Sequence, residues 1–220
     1  GSMQKYLQSK FKIFHLQKKN DFAFLNKDLK HIFIKKKYLS KFVSLRLRDY
    51  KKIRFKINNI YLRSKANDEN MNFVYTLAKK LKINDNSFIK SMNSFKGLFH
   101  RYEIFLKKHG VTFINDSKAT SLQSSKFALA SSKNIYWIVG GLPKAKDKID
   151  LSNVKNNIIK SFIIGKNISF FKKQLKNKVK FTIKKTLRNA IISILKEIKL
   201  SNRIKNVILL SPGAASFDQY

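Results

Sequence analysis

The chain has 220 residues, 48 of them Lys or Arg against 12 Asp or Glu, for a net charge of +36. With 43% hydrophobic residues and 19 Phe it is too apolar for a disordered tail, and the lack of cysteine removes disulfides and thiolate metal sites. No apolar run approaches the ~20 residues of a membrane helix, so a cytoplasmic protein without a membrane partner is expected.

Gly1-Ser2-Met3 reads as a cloning remnant. Residues 5–17 place Tyr6, Leu7, Phe11 and Phe14 at helical spacing. "DFAFLN" (21–26) predicts a short buried strand. The stretch 42–64 alternates apolar and basic residues, with turn material at Asp49-Tyr50 and Asn58-Asn59, and predicts a small antiparallel sheet of three strands. Helices follow at 68–82, capped by Asn67 or Asp68, and at 86–95. After Gly97 the rhythm changes. Strands are predicted at 102–108, 111–115, 135–139, 161–164, 179–183 and 207–210. Helices are predicted at 120–131, near 151–159, at 167–175 and at 185–198. Such alternation implies an α/β domain with a mostly parallel sheet and helices on both faces. One cut follows, into residues 4–97 and 98–220.

Residues 1–97 and 98–220 each hold 24 basic and 6 acidic residues, so the charge is neither a tail nor a single patch. A phosphate backbone would reward such a field, and nonspecific nucleic-acid binding is expected from it. A solvated basic surface on an ordinary enzyme explains it as well, and no RNA-binding signature is present.

In parallel sheets, ligands gather at the carboxyl ends of the strands. Three polar turns follow strands directly: "INDSKAT" (114–120), "VGGLPKAKD" (139–147) and "LLSPGAASFD" (209–218). Asp116, a scarce acid, lies two residues before Lys118. Lys144 follows Gly140-Gly141, and Ser211 and Ser216 flank "PGAA". Ammonium groups, hydroxyls and free backbone N–H groups suit a small carboxylate or phosphate ligand. The same segments also read as three ordinary turns on a lysine-rich surface.

The series "GLFHRYE", "VTFINDSKATS", "GGLPKAKD" and "LLSPGAASFDQY" resembles the carboxy-terminal domain of the Mur ligases. Upstream, "KYLQSKFKIF", "FAFLNKD" and "ANDEN" resemble that family's central ATPase domain more weakly. The resemblance implies the latter part of that domain in residues 4–97 and a Rossmann-like third domain in 98–220. It further implies a peptidoglycan-precursor ligase using ATP and Mg2+ to add D-glutamate to UDP-N-acetylmuramoyl-L-alanine through an acyl-phosphate. Arg101 and Asp116 would meet the nucleotide, Asp116 at the ribose, and Asn70 the adenine. Lys118, Thr120, Lys144 and Ser216 would hold the D-glutamate carboxylates. Lys10 matches a lysine whose carbamate binds a second Mg2+, so Lys10 and Lys118 are the expected catalytic residues. The family's glycine-rich phosphate loop is absent from these residues. The chain is therefore expected to be a fragment or one product of a split gene, inactive alone, and supply of the missing amino-terminal half in trans is left open. Two departures, Ala66 for His and Phe99 for Pro, lie in the matched motifs. The rival reading is a non-catalytic binding protein that reuses the domain, with its basic surface directed at RNA or another polyanion.

Overall fold

A computed structural model describes residues 2–45, 47–62, 67–144 and 146–215. The chain divides into two compact units, Gly1–Phe95 and Lys96–Tyr220.

The first unit opens with α1 (Met3–His15), capped by the Ser2 side chain, which accepts from the Lys5 N–H. Strand β1 (Phe22–Leu25), helix α2 (Lys30–Lys35) and β2 (Lys41–Ser44) follow. Phe11, Phe14, Phe33, Tyr38 and Phe42 pack ring against ring in this part of the unit. Three further helices complete it: α3 (Leu47–Arg54), α4 (Asp68–Lys80) and α5 (Asp85–Ser94).

Among the described residues, the antiparallel sheet expected over 42–64 is not there. Strand β2 pairs in parallel with β1, and the residues after it form α3. The reason is a helical spacing hidden among the basic residues. Tyr50, Ile53 and Ile57 recur at three- and four-residue intervals and are all buried, with Met71, Tyr75 and Phe88 around them. Lys51 and Lys52 point to solvent, and Arg54 pairs with Asp68 at 2.5 Å. A strand would have sent alternate residues of this run to opposite faces and split the core set.

Tyr75 holds α4 and α5 together through its hydroxyl, which donates to Asp85 at 2.9 Å. Burial, then this bond, pushes the Tyr75 hydroxyl from the ordinary value of 10 up to about 12. A folded-state value above the unfolded one gives stability that is complete below pH 10 and lost as pH rises through about 12. Tyr75→Phe should therefore cost about 1.5 kcal/mol at neutral pH, and its deficit should close as pH rises from 10 towards 12. Urea unfolding followed by circular dichroism at stepped pH measures this. A deficit constant across that range would exclude the assignment.

The second unit is a six-stranded sheet in the order β3-β4-β8-β5-β6-β7, formed by β3 (Glu103–Lys108), β4 (Val111–Asn115), β5 (Ile135–Gly140), β6 (Ile158–Ile164), β7 (Phe181–Lys185) and β8 (Asn206–Leu210). Only the edge strand β3 runs antiparallel; the other pairings are parallel, as expected. Helices α6 (Leu122–Ser131), α7 (Ile168–Leu175) and α8 (Leu187–Lys199) supply the crossovers. Every residue of β5 is buried, as a central strand between two covered faces requires. Tyr136, Ile138, Phe162, Ile164 and Ile208 form one face, on which Ala190 and Ile194 of α8 pack. Alternation puts the fully buried Trp137, Val139, Ile163 and Leu209 on the other. The helix expected near 151–159 shrinks to one 3₁₀ turn, Lys155–Asn157, and β6 begins at Ile158. Ile158 is drawn into the strand by pairing opposite Ile135.

Candidate functional site

Three parallel strands, β4, β8 and β5, lie side by side, and all three polar turns leave from their carboxyl ends. The turns are bonded to one another. Asp116 N–H donates to Leu210 O at 2.7 Å, and Ser211 N–H to Ile138 O at 3.2 Å. Gly140 N–H donates to Pro212 O at 3.0 Å, and Leu142 and Ala215 exchange both backbone bonds at 2.7 and 3.1 Å. The last bond needs glycine at 141. Its φ is +132°, and a Cβ there would lie 2.4 Å from Ala215 O.

Asp116 is the pin of this assembly. It is buried, at 5% exposure. One carboxylate oxygen accepts from the Tyr102 N–H at 3.1 Å and the other from the Ser211 hydroxyl at 2.7 Å. Ser211 also contacts the Ser125 hydroxyl of α6 at 2.9 Å, and its carbonyl accepts from the Trp137 indole N–H at 2.8 Å. Burial pushes the Asp116 carboxyl above the ordinary carboxylate range. The Ser211 and Tyr102 bonds and the Arg101 charge pull it back in part. The carboxylate is thus a structural tie between the 98–102 loop, β4 and the turn after β8. Each oxygen keeps a second lone pair, which is what an incoming hydroxyl would use.

The 98–102 loop is held against the end of β4. Leu98 and Arg101 form a bridge, and Lys118 N–H donates to His100 O at 3.0 Å. The His100 ring meets the Asn115 amide at 2.8 Å, and the His100 backbone N–H donates to the Glu103 carboxylate at 2.8 Å. His100 and Tyr102 both adopt positive φ, +64° and +49°, an uncommon conformation for non-glycine residues that these bonds sustain. The loop leaves the Arg101 side chain exposed, and Lys118, Thr120 and Lys144 are exposed on their turns. The α6 N-terminus adjoins them. Ser121 caps it through the Ser124 N–H, and the Asp147 carboxylate takes the Leu122 N–H at 2.8 Å.

The structure thus brings Arg101, Asp116, Lys118, Thr120 and Lys144 onto one edge of one sheet. Ser216 lies outside the described residues, as does Ala66. Lys10 and Asn70 belong to the other unit. Lys10 is exposed on α1 with its ammonium 5.5 Å from the Tyr6 ring centre. Asn70 is exposed on α4 and donates to Asn67 Oδ1 at 3.4 Å. Among the described residues no three His, Asp or Glu side chains gather as a metal site, so these residues alone do not fit Mg2+. Sequence reading missed Tyr102, Ser125 and Asp147. Asp147 could have been found as the acid following the second turn, but Tyr102 contributes only a backbone N–H, which no side-chain pattern reveals.

A mostly parallel sheet with polar turns on three adjacent strand ends is the form of a Mur ligase carboxy-terminal domain, and the chain belongs to the Mur ligase family. Within that family its similarity is to UDP-N-acetylmuramoylalanine--D-glutamate ligases. It is 40% identical to that of Wolbachia sp. subsp. Brugia malayi over 155 residues, 70% of this chain and 31% of the relative. Identity is 35% to that of Wolbachia pipientis wMel over 178 residues, 81% of this chain and 34% of the relative. It is again 35% to that of Agrobacterium fabrum over 159 residues, 72% of this chain and 34% of the relative. A solved structure of MurF from Acinetobacter baumannii shares the fold at TM-score 0.52 and 17% identity, over 67% of this chain and 35% of that one. No protein-family model matches the chain. The chain spans about one third of the length of the relatives it matches.

Proposed function

We propose that this chain serves ATP-dependent addition of D-glutamate to UDP-N-acetylmuramoyl-L-alanine, a step of peptidoglycan precursor synthesis in the cytoplasm. The observation that carries the reading is the bonded set of three turns at the ends of β4, β8 and β5, with Lys118 and Lys144 exposed on two of them.

In this reaction a substrate carboxylate oxygen takes the terminal phosphoryl group of ATP, releasing ADP. The neutral D-glutamate amine attacks the resulting acyl carbon, and the tetrahedral intermediate expels phosphate as the amide forms, the nitrogen giving up one of its two protons. The protein contributes position and charge rather than covalent chemistry. Lys118, Thr120, Lys144 and Ser216 hold the two D-glutamate carboxylates, so the amine faces the acyl carbon in one orientation. Arg101 offsets phosphate charge, and the free lone pairs of Asp116 accept from the ribose. Asn70 would take the adenine, and Lys10, if carbamylated, would offer a carboxylate to Mg2+ only alongside ligands from the remainder of the ligase. The glycine-rich phosphate loop comes from the remainder of the ligase, in the same polypeptide or in trans.

Ligand-observed NMR on the 220-residue chain tests the cradle. D-glutamate should show saturation transfer, L-glutamate much less. Lys118→Ala or Lys144→Ala should weaken the contact roughly ten- to a hundred-fold, since a hydrogen bond to a charged group contributes about 1.5–3 kcal/mol. Equal signals from both enantiomers, untouched by either substitution, would refute it.

A further inference from the structure

We propose that the outer face of α8 and the loop after it dock the second unit onto an anionic lipid surface. The inference stands independently of the ligase reading and concerns the amino ends of the strands, opposite the ends from which the three turns leave. It also departs from the expectation of no membrane partner. No described helix is long and apolar enough to cross a membrane, so the contact is peripheral.

Residues 200–205 form a ridge between two lysine-lined grooves at the amino ends of the parallel strands. Arg203 lines one groove, of about 690 Å³, with Lys155, Lys178 and Lys180. Lys205 lines the other, of about 740 Å³, with Lys107, Lys108 and Lys133. Glu197 is the one carboxylate lining either groove, and Lys160 pairs with it at 2.7 Å.

Between these cations the ridge presents apolar side chains that the fold could have buried and does not. Leu200 is 87% and Ile204 86% exposed. The backbone beneath them is fixed. Asn134 donates to Lys205 O at 3.0 Å and the Asn206 side chain to Arg203 O at 3.1 Å. Ile204 O sits so close to Gly110 that a Cβ there would lie 2.3 Å away. With its carbonyl tucked onto Gly110, Ile204 has its side chain outward. Along α8, Ile192 and Leu195 are also exposed, at 44% and 36%, and share the outer face with Arg188, Lys196 and Lys199.

This combination selects the partner. Each cation near an anionic leaflet is attracted to it, and aliphatic side chains gain by entering the headgroup boundary. A nucleic-acid backbone would use the lysines but gain nothing from Leu200 and Ile204. Sequence-tolerant binding of single strands relies on aromatic stacking, and neither groove is lined by Phe, Tyr or Trp.

Co-sedimentation with vesicles of phosphatidylcholine, alone or mixed with phosphatidylglycerol, tests the proposal, with polyuridylate as a second ligand. The chain should bind the mixed vesicles and not the neutral ones. Leu200→Ser/Ile204→Ser, which changes no charge, should lower that binding about ten-fold or more while leaving polyuridylate binding and thermal unfolding unchanged. Leu16→Ser, at a site 83% exposed in the other unit, should have no effect. Absence of vesicle binding overturns the proposal. So does a double variant that binds vesicles like the parent, because diffuse charge would then suffice. An equal loss of polyuridylate binding overturns it too, because the ridge would then serve nucleic acid.

Discussion

Gly140→Ala should destabilise the second unit by at least about 3 kcal/mol. Gly140 ends β5 opposite Ile164 of β6, with φ at +146°. A Cβ there would lie 2.0 Å from Ile164 O and 2.9 Å from its N. Those are backbone atoms of a paired central strand, so relief requires the two strands to part where both faces are packed. The Gly140 N–H also donates to Pro212 O, so the movement would pull the turn after β8 out of place. The chain has one tryptophan, Trp137, fully buried three residues upstream. Its emission therefore reports on this unit alone. Urea unfolding of Gly140→Ala should begin at markedly lower denaturant, and wild-type emission with an unchanged midpoint would show that the turn is not built as described.

Asp116 separates structure from chemistry. Asp116→Ala removes the carboxylate that accepts from the buried Tyr102 N–H and the Ser211 hydroxyl and should cost about 2–3 kcal/mol. Asp116→Asn should be tolerated. Its amide oxygen can keep the Tyr102 bond, its NH2 can donate to Ser211 Oγ, and the Ser211 hydroxyl can turn to Ser125. The charge adds a pH signature. Burial raises the folded-state value of Asp116, so its contribution is complete below the ordinary carboxylate value and lost as pH rises through the raised one. Asp116→Asn, which has no such charge, should gain on the parent at neutral pH and lose that advantage on acidification. Thermal unfolding at pH 3 to 7, where carboxylates titrate, measures it; an advantage that grew in acid would reverse the argument.

The second unit was largely legible because its strands are short apolar runs set between amphipathic helices, and the three turns each follow a strand directly. What failed did so where two periods compete. In 42–57 a period-two alternation of basic and apolar residues overlies the buried Tyr50-Ile53-Ile57 set, and burial decides between them. In 151–159 the apolar positions divide between a loop and the early start of β6. The burial of Asp116 was not legible at all. A lone acid between Asn and Ser looks solvated, and only the return of β8 beside β4 brings Ser211 to it. That long-range pairing also turns three separate motifs into one edge.

The most direct test of the central claim is ligation by a hybrid, in which this chain replaces the matched third of a full-length relative. ATP-dependent phosphate release that requires both UDP-N-acetylmuramoyl-L-alanine and D-glutamate should be restored. Lys118→Ala and Lys144→Ala should each lower it by roughly ten- to a hundred-fold or more, whereas Lys173→Ala, exposed on α7 outside the matched turns, should not. A hybrid that ligates equally well with all three substitutions would contradict the account, as would one that folds and binds ATP yet never joins D-glutamate.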